Sequence, residues 1–186
     1  MSKHEFFCVI DCETTGMDHR LYDLIQVCLL PLDESLSPLK DEAFYYQIKS
    51  AIPERFDPEA LKINKLDPKE GIPRQEALEL MKKWLFIQLR KREVEKITPV
   101  GQNYDFDKEF LIDFMGFEEY YNIFHYNLRD TKKNGCFLAD TIVPGLKSGL
   151  DDQAKYFGIQ NTNHHDALND CIVTSEIWRK QLALIK

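Results

Sequence analysis

Phe6-Phe7-Cys8-Val9-Ile10-Asp11-Cys12-Glu13-Thr14-Thr15-Gly16 decides how the rest of this chain is read. Phe6 to Ile10 is apolar and β-prone, which predicts a buried central strand that ends at Asp11 and the Gly16 turn. Asp11 and Glu13 are two positions apart, and on extended backbone that spacing points both carboxylates to one side. Asp-x-Glu alone is commonly a solvated turn or strand edge. Here it runs into Thr14, Thr15 and Gly16, a tight turn whose free backbone N–H groups can receive a hydroxyl or phosphate oxygen.

Working outward, Leu24 to Leu32 predicts a second strand broken near Pro31, and Phe44 to Ile48 a third, so that the first three strands form an antiparallel meander. Asp57-Pro58 is an N-cap followed by proline at the first helical position. Arg74 to Leu89 carries apolar residues at helical spacing, and Arg90-Lys91-Arg92-Glu93 reads as its solvated end. Ile97 to Val100 is a fourth strand. Asp105 is the expected cap of a helix stopping at Gly116, and Phe124 to Leu128 is the expected fifth strand. Ser148-Gly149-Leu150-Asp151 has capping-box spacing, Gly158 ends that helix, and a last helix starts at about Asp166. Early strands followed by alternating helix and strand predict one α/β domain, residues 1–186, with a mixed five-stranded sheet flanked by helices.

Composition narrows the classes. The chain has 186 residues, 44% hydrophobic and 30% charged, which suits one globular domain with a real core. No apolar run has the length of a membrane span, and the opening residues do not read as a signal peptide, so a cytoplasmic place and no membrane partner are expected. The five cysteines include no C-x-x-C pair. Cys8, Cys28 and Cys171 lie on apolar segments, and Cys12 reads as a packed thiol rather than a zinc ligand. A net charge of −7 argues against a protein that coats nucleic acid through bulk electrostatics. It leaves room for weak, distributive binding of a strand end, or for a partner that delivers it.

Two further acidic segments complete the set. Asp107 in Gln102-Asn103-Tyr104-Asp105-Phe106-Asp107 falls one turn into a helix after a strand, where a charge favours the helix N-terminus. With Asp105 as cap, that role is already filled. Asn103 either meets a nucleotide or holds the turn. In His165-Asp166-Ala167-Leu168-Asn169-Asp170, His165 and Asp170 are five apart, a rotation of about 140° in one continuous helix. They converge only if His165 stays in the preceding loop. Either His165 or His164 could be a general base, or both could be surface residues. Four carboxylates and a histidine are the inventory for two divalent ions about 3.5–4 Å apart plus a base, the parts of a phosphodiester-cleaving site.

These three segments, in this order, resemble the motifs of the DEDDh 3′–5′ exonucleases of the ribonuclease H-like superfamily, which include polymerase proofreading subunits. Asp11 to Gly16 resembles the first motif. Gly101 to Asp107 resembles the second, with Gln102 where the family usually has histidine. His165 to Asp170 resembles the third. Arg129-Asp130-Thr131 resembles the Asp-Thr element between the last two, and Ser148 to Leu150 with Ala154 to Ile159 resemble the helix before the third, so the likeness runs over nearly the whole chain.

The resemblance implies a ribonuclease H-like α/β fold and a two-metal mechanism with Mg²⁺ or Mn²⁺. Asp11, Glu13 and Asp170 would bind the catalytic metal, Asp11 and Asp107 would serve the second, and His165 would deprotonate the attacking water. Thr14, Thr15 and Gly16 would receive the 3′-hydroxyl. Met17 and Phe106 would pack on the terminal nucleotides, with Asn103 nearby and Asn64 where relatives often have a histidine. The implied substrates are single-stranded DNA or RNA 3′ ends, DNA favoured, and a polymerase or other protein is an implied partner. An oligoribonucleotide-specific enzyme and a non-catalytic binding module of the same fold are the competing expectations.

Overall fold

A computed structural model describes residues 5–185. One sheet runs in the order β3-β2-β1-β4-β5, with β1 at Phe6–Thr14, β2 at Leu24–Pro31, β3 at Phe44–Gln47, β4 at Ile97–Gly101 and β5 at Arg129–Asp130. β1 pairs antiparallel with β2 and parallel with β4; β2–β3 is antiparallel and β4–β5 parallel. The mixed five-stranded sheet and the opening meander are therefore as expected. The described α-helices are α1 (Pro58–Asn64), α2 (Arg74–Arg92), α3 (Asp105–Met115), α4 (Phe117–Ile123), α5 (Thr131–Thr141), α6 (Leu150–Phe157) and α7 (Ala167–Ile185). None is long and apolar enough to cross a membrane.

Alternation along β1 sets the two faces of the sheet. Phe6, Cys8, Ile10 and Cys12 pack with Met81 and Leu85 of α2 and Phe110, Leu111 and Phe114 of α3. Phe7 and Val9 pack with Cys28 and Leu30 of β2, Val100, and Cys171 and Trp178 of α7. Period two then carries the odd positions onward to Asp11 and Glu13, on the face that α7 covers. Cys12 falls on the other face, buried, as a packed thiol.

Four local expectations are corrected. β1 runs through Thr14, because β2 continues the ladder as far as Thr14↔Leu24; the two acids stand inside the strand, not past its end. Phe124 to Leu128 is not a strand. Its Phe124 is fully buried, makes only an isolated bridge to Ile97, and the fifth strand is the two residues Arg129–Asp130. Asp105 and Ser148 do not cap: Asp105 is already helical and pairs with Lys108 and Lys133, while Gly149 holds the cap position of α6. The end of α2 is not simply solvated, since the Arg92 guanidinium lies 4.2 Å from the Phe6 ring centroid and bonds Glu42 at 3.0 Å. Asp57 and Pro58 open α1 as expected, and Gly158 ends α6 with φ 68°.

Candidate active site

The first turn of α7 is tied to the sheet, and that tie sets one wall of the site. Gln26 on β2 accepts a hydrogen bond from the Ala167 amide at 2.9 Å, and the Tyr45 hydroxyl on β3 donates to the Asp166 carboxylate. The other oxygen of Asp166 accepts from the Asn169 amide at 2.9 Å, so Asp166 caps the helix. Asp170 then lies one turn in, buried against β1. His165 stands before the helix in left-handed backbone, φ 61°, and its amide donates to Asp170 Oδ2 at 3.2 Å. The kink resolves the five-residue spacing: side-chain ligand atoms of Glu13, His165 and Asp170 all lie within 4.8 Å of one another. His164 points elsewhere, with Nδ1 at 2.9 Å from Asp151 and 3.1 Å from the Asn161 amide nitrogen.

Asp107 forms the opposite wall. β4 pairs with β1 only as far as Val9↔Val100, and beyond that the Asp107 carboxylate accepts the Cys12 amide at 2.9 Å. Asp107 is 3% exposed. Burial raises its pKa well above the ordinary carboxylate range, and the Cys12 amide opposes the rise. Burial also raises Asp11 strongly, helped by the charges of Asp107, Glu13 and Asp170. Glu13 is pushed up to about 7 by burial and by Asp170, against the Asn64 amide. Asp170 is raised by burial and held down by the His165 amide.

Among the described residues, no lysine or arginine forms an ion pair with Asp11, Glu13, Asp107 or Asp170, while Lys133 and Lys108 pair with Asp105. Four carboxyl groups crowded without a side-chain cation are costly unless protonated or neutralised by a bound cation. All-oxygen donors with one imidazole suit a hard divalent ion, so the residues present fit the metal requirement that the sequence implies. Asp11, Glu13, Asp107 and Asp170 are the residues that would hold such ions.

The Thr14–Gly16 turn is bonded more fully than expected. The Thr15 amide is not free: it donates to Asp23 O at 2.9 Å, while Thr15 Oγ1 accepts the Asp23 amide. Thr14 Oγ1 donates to Gly16 O at 2.7 Å, and a Cβ at Gly16 would run into the Tyr22 ring. Asn64 is buried and locks this turn to α1, its Nδ2 donating to Thr14 O at 3.0 Å. Met17, beside the turn, is 74% exposed. Phe106 is half-buried and packs on Phe110, with ring centroids 5.0 Å apart. Asn103 has φ 63°, and its Oδ1 accepts from Lys132 Nζ at 3.1 Å.

Asp130 is the residue whose role the sequence leaves least visible. Its carboxylate accepts the amides of Asn103 and Tyr104 before α3 and of Lys132 and Lys133 in α5, fixing two helix starts at once. An aspartate just before Thr131 is an N-cap signal, but the second pair of amides arrives from 26 and 27 residues away. Gln102 likewise enters a buried amide network, donating to Ser148 O at 2.8 Å and accepting from Thr131 Oγ1. Gln153 and Gln181 complete that network through Thr131 O.

The sequence pattern of the exonuclease family RNase_T matches residues 8–178. Among curated proteins, none matches the chain in sequence. Solved structures do match in fold. The zinc-bound complex of E. coli exonuclease I with single-stranded DNA superposes with a TM-score of 0.75 at 19% identity, over 98% of this chain and 42% of that one. Exonuclease I from Methylocaldum szegediense gives 0.74 at 21% identity, over 94% and 40%. Cell-death related nuclease 4 gives 0.73 at 14% identity, over 97% and 64%. The chain thus spans 42% or less of the length of the two exonuclease I chains. The shared fold is the ribonuclease H-like one that the motifs implied.

Proposed function

The chain belongs to the RNase_T exonuclease family, and from that premise we propose that it is a metal-dependent 3′–5′ exonuclease that trims single-stranded ends to nucleoside 5′-monophosphates. The observation that carries this reading is the convergence of Glu13, His165 and Asp170 within 4.8 Å, beside the uncompensated acids Asp11 and Asp107.

Two divalent ions, when bound, would lower the pKa of the attacking water and offset charge on the scissile phosphate and leaving oxygen. The chain's own residues do the rest. Asp11, Glu13, Asp107 and Asp170 would hold the ions from β1, α3 and α7. His165, neutral, takes the proton of the attacking water on an imidazole nitrogen, and its backbone tie to Asp170 keeps base and ligand in register. The Thr14–Gly16 turn, braced by Asn64, meets the terminal 3′-hydroxyl. Met17 and Phe106 stack on the last nucleotides, a contact that tolerates any base, and Asn103 borders the same strand. DNA is the favoured substrate, supported by the single-stranded DNA held in the related complex. With net charge −7 the hold on a strand is weak, and a protein such as a polymerase delivers the end.

The test is digestion of 5′-labelled DNA and RNA oligomers, single- and double-stranded, with Mg²⁺ or Mn²⁺. Stepwise shortening from the 3′ end, slowed by a 3′-phosphate, is expected. Full activity in excess EDTA, or rapid cutting of a circular single strand, sinks the reading. Activity on RNA alone would replace DNA with oligoribonucleotides as the substrate.

A further inference from the structure

Four cations flank the acids from α3, β5 and the start of α5, and three of them are engaged by carboxylates. Lys133 Nζ lies 2.6 Å from Asp105 and 3.8 Å from Asp130; Lys108 Nζ lies 3.1 Å from Asp105. Arg129 reaches Glu5 at 3.3 Å. Lys132 differs. Among the described residues its amine has no carboxylate partner and rests on the neutral Oδ1 of Asn103 at 3.1 Å.

That perch is rigid. The Asn103 amide is held by Asp130 at 3.2 Å, and the Asn103 carbonyl accepts the Phe106 amide at 3.0 Å, the first turn of the helix that carries Asp107. Lys132 therefore stands at the β4–β5 rim of the carboxylate cluster. The Thr14–Gly16 turn stands at the other rim, locked to α1 through Asn64 and through the Asp57 amide on Thr15 O at 2.7 Å. On the exonuclease reading, a strand whose 3′ end meets that turn would cross the acids and reach the β4–β5 rim on its 5′ side. An ammonium has three donors, so Lys132 can keep Asn103 and still bind an anion.

We infer that Lys132 holds a backbone phosphate of the substrate strand 5′ to the scissile bond, supplying the fixed positive charge that the acidic pocket lacks. This rests on the exonuclease reading and names a contact for its substrate. Lys132 is a positioning residue: it acts on the strand rather than on the reacting atoms, so its loss should raise KM and leave kcat in place.

The test uses two readouts. Binding of a 5′-fluorescein single-stranded DNA oligomer is followed by anisotropy across a salt series with Mg²⁺, in the His165→Ala protein so that the probe survives. Adding Lys132→Gln should weaken binding roughly three- to tenfold and make the slope of log affinity against log salt shallower by about 0.7, one phosphate contact. Lys82→Gln, an equal change in net charge at a lysine that pairs with Glu119 at 3.6 Å, should leave the slope alone. Lys132→Arg should restore affinity. In the protein with His165 intact, Lys132→Gln should raise KM by the same factor. An unchanged slope and KM overturn the inference while cleavage still stands. Equal slope changes in Lys82→Gln, or no oligomer binding at any salt, overturn it as well. Binding without cleavage by the intact protein refutes the exonuclease reading instead, and the slope still decides Lys132.

Discussion

Asp105 and Asp107 sit two residues apart in the first turn of α3, yet their surroundings are opposite. Asp105 is half-exposed and bonded to Lys133 and Lys108, which lower its pKa. Asp107 is buried, with an amide for a partner and other carboxylates for neighbours, and its pKa is raised. Helix position is nearly the same, so the difference comes from what the sheet presents. Asp105 faces α5 and its lysines. Asp107 faces the stretch of β1 that outruns β4. A carboxylate satisfied by lysines is structural furniture, whereas one stabilised only by a cation the chain does not supply is placed for a ligand. His164 and His165 repeat the contrast, one engaged by Asp151 and one turned to the acids.

The sharpest way to break that contrast is to neutralise each acid in turn. Asp170→Ala and Asp11→Ala should cut the exonuclease rate on the order of 10⁴-fold, about 5 kcal/mol of transition-state stabilisation, and Asp107→Ala should be comparable. Asp105→Ala should stay within about threefold. Initial rates on a labelled single strand decide it. If Asp105→Ala loses as much as Asp107→Ala, electrostatic isolation is not the mark of function here.

The histidine pair comes next. His165→Ala should cost about 10²–10⁴-fold in kcat, the usual worth of a positioned general base. His164→Ala should be mild, within about threefold. Calorimetric titration with Mn²⁺ should find metal binding retained in His165→Ala, since the four carboxylates remain. Equal losses in both variants, or lost metal affinity, would mean that the base is misassigned.

Asp130 carries an effect on stability rather than chemistry. Asp130→Ala strips an acceptor from four amides at two helix starts, and should cost about 2 kcal/mol, the upper end for a cap. In a domain of this size that lowers Tm by roughly 4–8 °C. A thermal melt no different from wild type would show that water replaces the carboxylate.

These contrasts also mark how far the sequence could be read. Periodicity and composition placed β1 to β4 and the main helices, because a buried strand and an amphipathic helix leave patterns that depend only on neighbours along the chain. The Asp11/Glu13 spacing was legible for the same reason. What stayed hidden was tertiary. β1 is longer than its apolar run because β2 continues beside it. Phe124 is aromatic for the core and not for a ladder. The left-handed turn at His165 and the double capping by Asp130 depend on partners far away in sequence. Asn64, expected at the substrate, is the brace of the Thr14 turn.

The smallest effect is the subtlest use of the Asp105–Asp107 comparison, in the protein without metal. Asp11, Glu13 and Asp107 have folded-state pKa values above their ordinary ones, Glu13 at about 7. Below about pH 3 both folded and unfolded chains hold these protons, so the crowding costs nothing. As pH rises past the ordinary carboxylate range the unfolded chain releases these protons first, and the cluster's contribution to stability is lost; for Glu13 that loss is complete above about 7, and for Asp11 and Asp107 it runs up to their own raised values. Asp105 and Glu42, with lowered values, act in the opposite sense. The difference between variant and wild type isolates the cluster. Asp107→Asn keeps an acceptor for the Cys12 amide and removes one crowded charge. It should raise the metal-free Tm at pH 7.5 by roughly 2–4 °C, about 1 kcal/mol, and by less at pH 5. Asp105→Asn should raise it at neither. Mg²⁺ should lift wild-type Tm more at pH 7.5 than at pH 5, and Asp107→Asn should blunt that lift. If the two asparagine variants melt alike at both pH values, the acids are not strained against one another, and a divalent cation has no electrostatic reason to bind among them.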